Sequence, residues 1–365
     1  MSVRITRFFT ASALGVGNAE TLANYRRGVA PGIQEMEGDI PGRRIWFGSV
    51  PGELPEIAEP HWNMRTNRLL KLAAGSVELK GALGDLMAKY GPDRVGIVLG
   101  ASNTGIDEAQ GFVDEWLSRG ERPEALDFSM IELGTPSLYL KELLGAKGPA
   151  YTISTACSSA TKAFGAARRL LEQGICDAVV TGGVDGRCRF AMNGFHALGA
   201  LSEGRCRPLA PDRDGINLGE AVALFIVERV GPESRMPCIR AVGESSDAYH
   251  ATAPDPEGHG AEAAMRAALT AAGMDPSDID YVNLHGTGTQ ANDAMEMKAF
   301  GRVFGGCAER VRRESTKALT GHCLGAAGAV EASICALLIE AGDVRAALSN
   351  SFAFGGSNAS VILSA

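Results

Sequence analysis

Twice along this 365-residue chain a short apolar run gives way to a turn of small residues, an alanine-rich helical pattern, a strand and then a glycine pair. The first copy passes through Tyr151, Thr155-Ala156-Cys157-Ser158-Ser159-Ala160 and Gly182-Gly183. The second passes through Thr320-Gly321-His322-Cys323-Leu324-Gly325, an apolar helix over 326–341 and Gly355-Gly356. Alternating strand and helix units imply largely parallel sheets with right-handed crossovers. A duplication of such units predicts an α/β fold in which two sheets stack with helices between them. The 46 glycines and many other small residues suit helices packed closely on sheets.

The intervening segments fit that plan. Residues 94–100 (RVGIVLG), 177–183 (DAVVTGG) and 220–230 read as buried strands, and 111–119 and 137–144 as helices. After a loop at 230–237 the alternation restarts with a strand at 238–242, a helix at 260–272, a strand at 279–284 and a helix at 293–304. The loop divides the chain into halves 1–232 and 233–365. Met1 to Thr10 reads as a first strand and not as a signal peptide. No apolar stretch approaches the roughly 20 residues needed to span a bilayer, so the expectation is a cytoplasmic protein without a membrane span. The eight cysteines form no Cys-x-x-Cys pair and are expected to be reduced, mostly buried thiols. A net charge of −8 argues against nucleic acid as a partner. Neither a P-loop nor a dinucleotide fingerprint follows the first strand, and His61, His196, His250 and His259 lack metal-ligand spacing.

The chemistry concentrates at strand ends. Cys157 precedes a helix carrying Ala163, Phe164, Ala167, Leu170 and Leu171 on one face. A thiol there meets unpaired backbone N–H groups and the positive end of the helix dipole, which predicts a lowered thiol pKa and a nucleophile. His285 stands in Asn283-Leu284-His285-Gly286-Thr287-Gly288-Thr289, where small residues let a long polar ligand approach and Thr287 and Thr289 offer hydroxyls. His322 is surrounded by Gly321, Gly325 and Gly328, and Lys317 and Glu331 can pair behind it. The stretch Phe352-Ala353-Phe354-Gly355-Gly356 can lend backbone N–H groups that complete an oxyanion hole with the Cys157 amide. Asp293 and Glu296 read as a carboxylate pair in the first turn of a helix.

Taken in order, the motifs around Cys157, His285 and His322, with the terminal 350–358 stretch, resemble the β-ketoacyl-acyl carrier protein synthases, the condensing enzymes I and II of fatty-acid synthesis, and the related polyketide ketosynthases. The resemblance runs over essentially the whole chain. It implies a duplicated five-layered αβαβα thiolase-like fold, with the nucleophile in the first half and both histidines in the second. It also implies that Cys157 takes an acyl group as a thioester. His285 and His322 would then assist decarboxylation of a malonyl thioester, with Lys317 and Glu331 as their support. Thr287, Thr289 and Phe352 would line the substrate path, and Phe354 would gate it. Substrates would arrive on the phosphopantetheine of acyl carrier protein, with no metal and no other cofactor. Such enzymes dimerise through the strand before the cysteine, as homodimers or with a cysteine-less chain-length partner.

Departures from the family pattern are Cys323 in place of serine, Ala353 in place of glycine, no second glycine after Glu220, and a short 341–349 connection. With residues 27–32 these resemble specialised synthases of bacterial aryl-polyene clusters. An acidic carrier protein should meet a basic face, for which Arg65, Arg68 and Lys71 lie at helical spacing, with Arg43 and Arg44 adding to it. A coenzyme A-dependent thiolase would need a second catalytic cysteine, which 352–358 lacks; a type III condensing enzyme would carry asparagine at 322; and a non-catalytic chain-length subunit would have lost Cys157.

Overall fold

The computed structural model describes residues 2–231 and 236–365; the middle of the 230–237 loop, and with it the 232/233 division, lies outside the described residues. The first half contributes strands β1 (Ser2–Ser12), β2 (Gly15–Val16), β3 (Ile33–Ile40), β4 (Arg43–Gly48), β5 (Val95–Gly100), β6 (Ala150–Ile153), β7 (Ala178–Asp185), β8 (Leu218–Gly219) and β9 (Ala221–Val230). The second contributes β10 (Cys238–Ser246), β11 (Tyr281–Asn283), β12 (Arg312–Glu314), β13 (Ala346–Ala353) and β14 (Ser357–Ser364).

Five strands of each half line up in one order, β6-β5-β7-β9-β1 in the first and β12-β11-β13-β14-β10 in the second. In both, the first three strands are parallel and the last two are added antiparallel. The sheets are thus mixed, where the sequence pattern predicts largely parallel ones. One cause is connection length. Only the Phe354–Gly356 turn links β13 to β14, whereas a parallel crossover needs about a dozen residues or more. The half-sheets join where Arg4 of β1 lies opposite Cys238 of β10.

Two helices fill the space between the half-sheets. Ser159–Glu172 packs on β5 and β7 of its own half and on β10 and β14 of the other, while Ala327–Glu340 packs on β13 and β14 and also on β1 and β9. Strand alternation sorts the cores accordingly. Along β9, Ala221, Ala223, Phe225 and Val227 face this central layer, and Val222, Leu224 and Ile226 face an outer core with the Arg65–Ala74 and Lys80–Tyr90 helices. Along β13, Ala347 faces inward and Leu348 faces the outer His259–Ala272 and Gln290–Phe304 helices. The resulting order of helix, sheet, helix, sheet, helix is the duplicated five-layered thiolase-like fold.

The central helices approach closely because residue 328 has no side chain: a Cβ there would lie 2.1 Å from Thr161 Oγ1. A Cβ on Gly100 would lie 2.2 Å from the backbone nitrogen of Ala160. The end of β5 is thereby pressed against the first turn of the helix that follows Cys157. Among the described residues no helix is long and apolar enough to cross a membrane.

Candidate active site

β6 ends at Ile153 and the next helix starts at Ser159, with Ser158 as its N-cap. Cys157 therefore stands one residue ahead of the cap. It follows Ala156, held at φ 51 in the left-handed region that a residue with a Cβ seldom adopts. The sequence expectation of a lowered thiol pKa is corrected here. Burial pushes the thiol up to about 12, against the smaller opposing pulls of Lys317 and the Phe354 backbone N–H. A protonated thiol needs a neighbouring base, and His322 Nε2 lies 3.0 Å from the sulfur.

His285 leaves the end of β11 on a loop clamped from behind. Its backbone N–H and that of Gly286 donate to the two carboxylate oxygens of Glu296 at 2.8 and 2.7 Å, and Asn350 Nδ2 donates to Glu296 at 3.1 Å. Glu296 is buried, which pushes its carboxyl up to about 7. Asp293 is buried too and accepts the backbone N–H groups of Gly288 and Leu209. Neither carboxylate is the simple helix-dipole partner read from sequence; both fix the 285–289 loop.

Lys317 and Glu331, each 1% exposed, form a buried ion pair. Lys317 Nζ also lies 3.3 Å from His285 Nδ1. An ammonium can only donate, so Nδ1 accepts and His285 carries its proton on Nε2. Burial, reinforced by the Lys317 charge, holds both imidazoles well below their ordinary pKa, hence neutral. The two rings lie 5.3 Å apart at 81°, and the reactive atoms of Cys157, His285 and His322 all fall within 4.8 Å of one another. Such a donor set can hold zinc in other settings. Here a cation already sits behind His285, and the sulfur and His322 contact each other directly, which fits a thiol–imidazole pair.

Two cavities reach the sulfur. One, of about 210 Å³, is lined by Thr287, Thr289, Phe352 and both histidines. The Thr287 and Thr289 hydroxyls are 3.0 Å apart, and Phe352 meets the His285 ring at 6.1 Å and 65°. The other, of about 520 Å³, is mostly apolar. Cys157, Phe195, Leu198 and Phe354 line both, and Phe354 stacks on Phe195 at 5.5 Å.

The basic helix differs from the free face read in sequence. Arg65 is bound to buried Glu220, Arg68 donates to the Leu54 and Pro55 carbonyls, and Lys71 donates to the Glu56 carbonyl at 2.6 Å. Arg43 pairs with Glu203, and Arg44 with Glu35 and Glu37. Sequence reasoning also gave no role to Asp185 and Glu220. Asp185, pushed up to about 7 by burial, accepts the backbone N–H groups of Ser102 and Asn103 beside the site. Glu220 receives Arg65 and the Val50 and Arg187 backbone N–H groups. The available signal was a lone carboxylate at the end of an otherwise apolar strand, in VVTGGVD and GEAVALF.

A cysteine and two histidines gathered on a duplicated thiolase-like fold define the condensing-enzyme class. The chain belongs to the β-ketoacyl synthase family: the family's N-terminal domain model matches residues 84–231 and its C-terminal domain model residues 236–350. Among curated proteins it is 34% identical to 3-oxoacyl-[acyl-carrier-protein] synthase 2 of Staphylococcus aureus over 74% of this chain and 77% of that one. It is 33% identical to the protein of that name from Rhizobium meliloti over 99% and 98%. Among solved structures it resembles a chain from the ketosynthase ApeO in complex with its chain length factor ApeC of Xenorhabdus doucetiae (TM-score 0.93, 38% identity, 100% and 98% covered). It also resembles a chain of the ishigamide ketosynthase/chain length factor (TM-score 0.89, 28% identity, 100% and 98% covered).

Proposed function

We propose that this chain is a β-ketoacyl-acyl carrier protein synthase that elongates an acyl chain held on Cys157. The sulfur attacks the acyl carbonyl of a carrier-protein thioester, and the phosphopantetheine thiol leaves with the proton that Cys157 gave up to His322. A malonyl thioester then enters past Thr287 and Thr289, whose hydroxyls contact the phosphopantetheine arm. It loses CO₂ to give an enolate, whose oxygen accepts the Nε2–H of His285 and, with His322 now in its Nε2–H tautomer, a second N–H bond. The enolate carbon attacks the Cys157 thioester; the carbon–sulfur bond breaks, and the sulfur leaves as a thiolate that takes up a proton from solvent to restore the thiol. During both acyl steps the backbone N–H groups of Cys157 and Phe354 receive the oxyanion, and the Phe354 ring gates the path. Lys317 and Glu331 act through the histidines. No cofactor beyond phosphopantetheine takes part.

The single observation that carries this reading is the meeting of the sulfur and both rings within 4.8 Å, with Lys317 fixing the His285 tautomer. We assign the nucleophile to a unit comprising 1–232 and the histidines to one comprising 233–365, supported by the shared strand order. We further propose a second subunit, a copy of this chain or a chain-length-factor-like partner. It would sit on β6, one of the two edge strands of the sheet, near exposed Phe128, Ile131, Leu138 and Tyr151. The solved complexes with chain length factors and the Ala353 and Cys323 departures support specialised polyene or polyketide-type elongation over housekeeping synthesis. Arg68 and Lys71, more than the engaged Arg65, are assigned to carrier-protein docking. Eight free cysteines support a cytoplasmic location.

Mass spectrometry after incubation with acyl-carrier proteins of graded length tests the reading. An acyl adduct on Cys157, absent in Cys157→Ala and discharged as a β-ketoacyl product by malonyl-carrier protein, is expected. Loading that survives Cys157→Ala would move the nucleophile elsewhere.

A further inference from the structure

The larger cavity at Cys157 is walled by Ile106, Phe190, Ala191, Phe195, Leu198 and Leu324, and only two of its side chains bear oxygen or nitrogen, Ser102 and Asn103. Ser102 is engaged: its hydroxyl donates to Asp185 at 2.8 Å and accepts the Gly325 N–H at 3.3 Å. Asn103 is not. The residue is 4% exposed, yet neither its amide nitrogen nor its amide oxygen has a hydrogen-bond partner. Buried polar groups are nearly always paired, so an unpaired carboxamide lying just behind an apolar wall asks for a partner, which a ligand atom in the cavity supplies once the side chain turns toward it.

The residue is also pinned in place. The backbone N–H groups of Ser102 and Asn103 both donate to Asp185 at 2.9 Å, and the Ala101 N–H donates to the Ile153 carbonyl at the end of β6. Gly100, just before, is wedged against Ala160. A carboxamide fixed to this frame stands at a set place relative to the sulfur, and the cavity volume lies in the range that encloses a small organic ligand.

We propose that Asn103 is a specificity-determining residue that reads an oxygen atom on the acyl group; this rests on the reading that Cys157 carries an acyl thioester. The substrate class is an acyl chain that is apolar over most of its length and carries a hydroxyl or carbonyl oxygen. The Asn103 NH₂ donates to either oxygen, and its C=O accepts from a hydroxyl. A plain alkyl chain fills the same space but leaves the amide stranded, which weakens its binding relative to the oxygenated chain.

The test pairs acyl-phosphopantetheine donors of equal length, one hydrocarbon and the others bearing a hydroxyl or ketone at successive positions. The rate of Cys157 adduct formation is followed by intact-protein mass spectrometry. The wild type should favour at least one oxygenated donor by about tenfold or more. Asn103→Leu and the roomier Asn103→Ala should bring that ratio to about one, chiefly by slowing the oxygenated donor. An equal rate for both donor types in the wild type, or a preference unchanged in both variants, overturns the proposal. So does a defect confined to subunit association in sedimentation, which would give the amide to an interface. Failure of every donor to load Cys157 removes the underlying reading as well, and so is told apart from failure of this proposal alone.

Discussion

The Nε2 atom of His322 lies 3.0 Å from the sulfur of Cys157, across 165 residues of sequence and from the opposite half of the fold. The two are brought together because the Ser159–Glu172 and Ala327–Glu340 helices share the central layer and cross where Gly328 lets Thr161 approach. That contact gives a buried, protonated thiol a route for its proton, which the helix end alone does not supply.

The thiol is raised, so its reactive form is scarce at neutral pH. Because a raised acid loses its proton only on approaching about 12, alkylation of Cys157 by iodoacetamide should rise about tenfold per pH unit between about 6 and 9, without a plateau. A plateau at or below neutrality, measured by labelling stoichiometry, would contradict the burial argument.

Each imidazole donates to charge that develops only during decarboxylation. His285→Ala should lower the rate of β-ketoacyl formation by about 10²–10³ while acyl loading of Cys157 persists. His322→Ala should slow both steps, since that ring alone touches the sulfur. Single-turnover assays with separate loading and condensation readouts distinguish the two.

Histidine protonation should not limit activity on the acid side. Both rings are held neutral by burial and by Lys317, so the imidazole C2–H signals of His285 and His322 should stay fixed down to about pH 6 in NMR titrations.

Removing Lys317 leaves the Glu331 carboxyl buried without its cation. Lys317→Met should lower stability by about 3–5 kcal/mol in urea unfolding, and Glu331→Leu on that background should restore most of it. Activity should stay low in the double variant, because His285 Nδ1 no longer has a fixed donor.

Gly100→Ala should destabilise the fold by about 1–3 kcal/mol or more. The added methyl would meet the backbone of Ala160, which no side-chain rotation can clear. Gly111→Ala, with open space around it in the Ile106–Arg119 helix, should be neutral or stabilising, and thermal melts of both variants make the comparison.

Much of this was legible in the chain. The apolar runs at 94–100, 177–183 and 220–230 are strands within a residue or two at either end, because strands buried on both faces are mostly apolar along their length. The hairpin of β3 and β4 was not anticipated. Its IQEMEGDI strand carries three acidic residues and a glycine and shows no clean alternation. Among the carboxylates that matter most, Glu296 was read as a helix-dipole partner and Asp185 and Glu220 were given no role, since the sequence does not show which distant N–H groups a buried acid accepts.

Local sequence therefore determined the strand–turn–helix units, their duplication, and the identity of the sulfur, the two imidazoles and the lysine–glutamate pair, because these follow from side-chain periodicity and from residue types placed at strand ends. Tertiary structure alone decided the mixed strand order, the raised thiol, the His285 tautomer and the engagement of Arg65 by Glu220. Each of these depends on water being excluded, or on a partner contributed from a distant part of the chain, and neither is encoded in the residues adjacent to the group concerned.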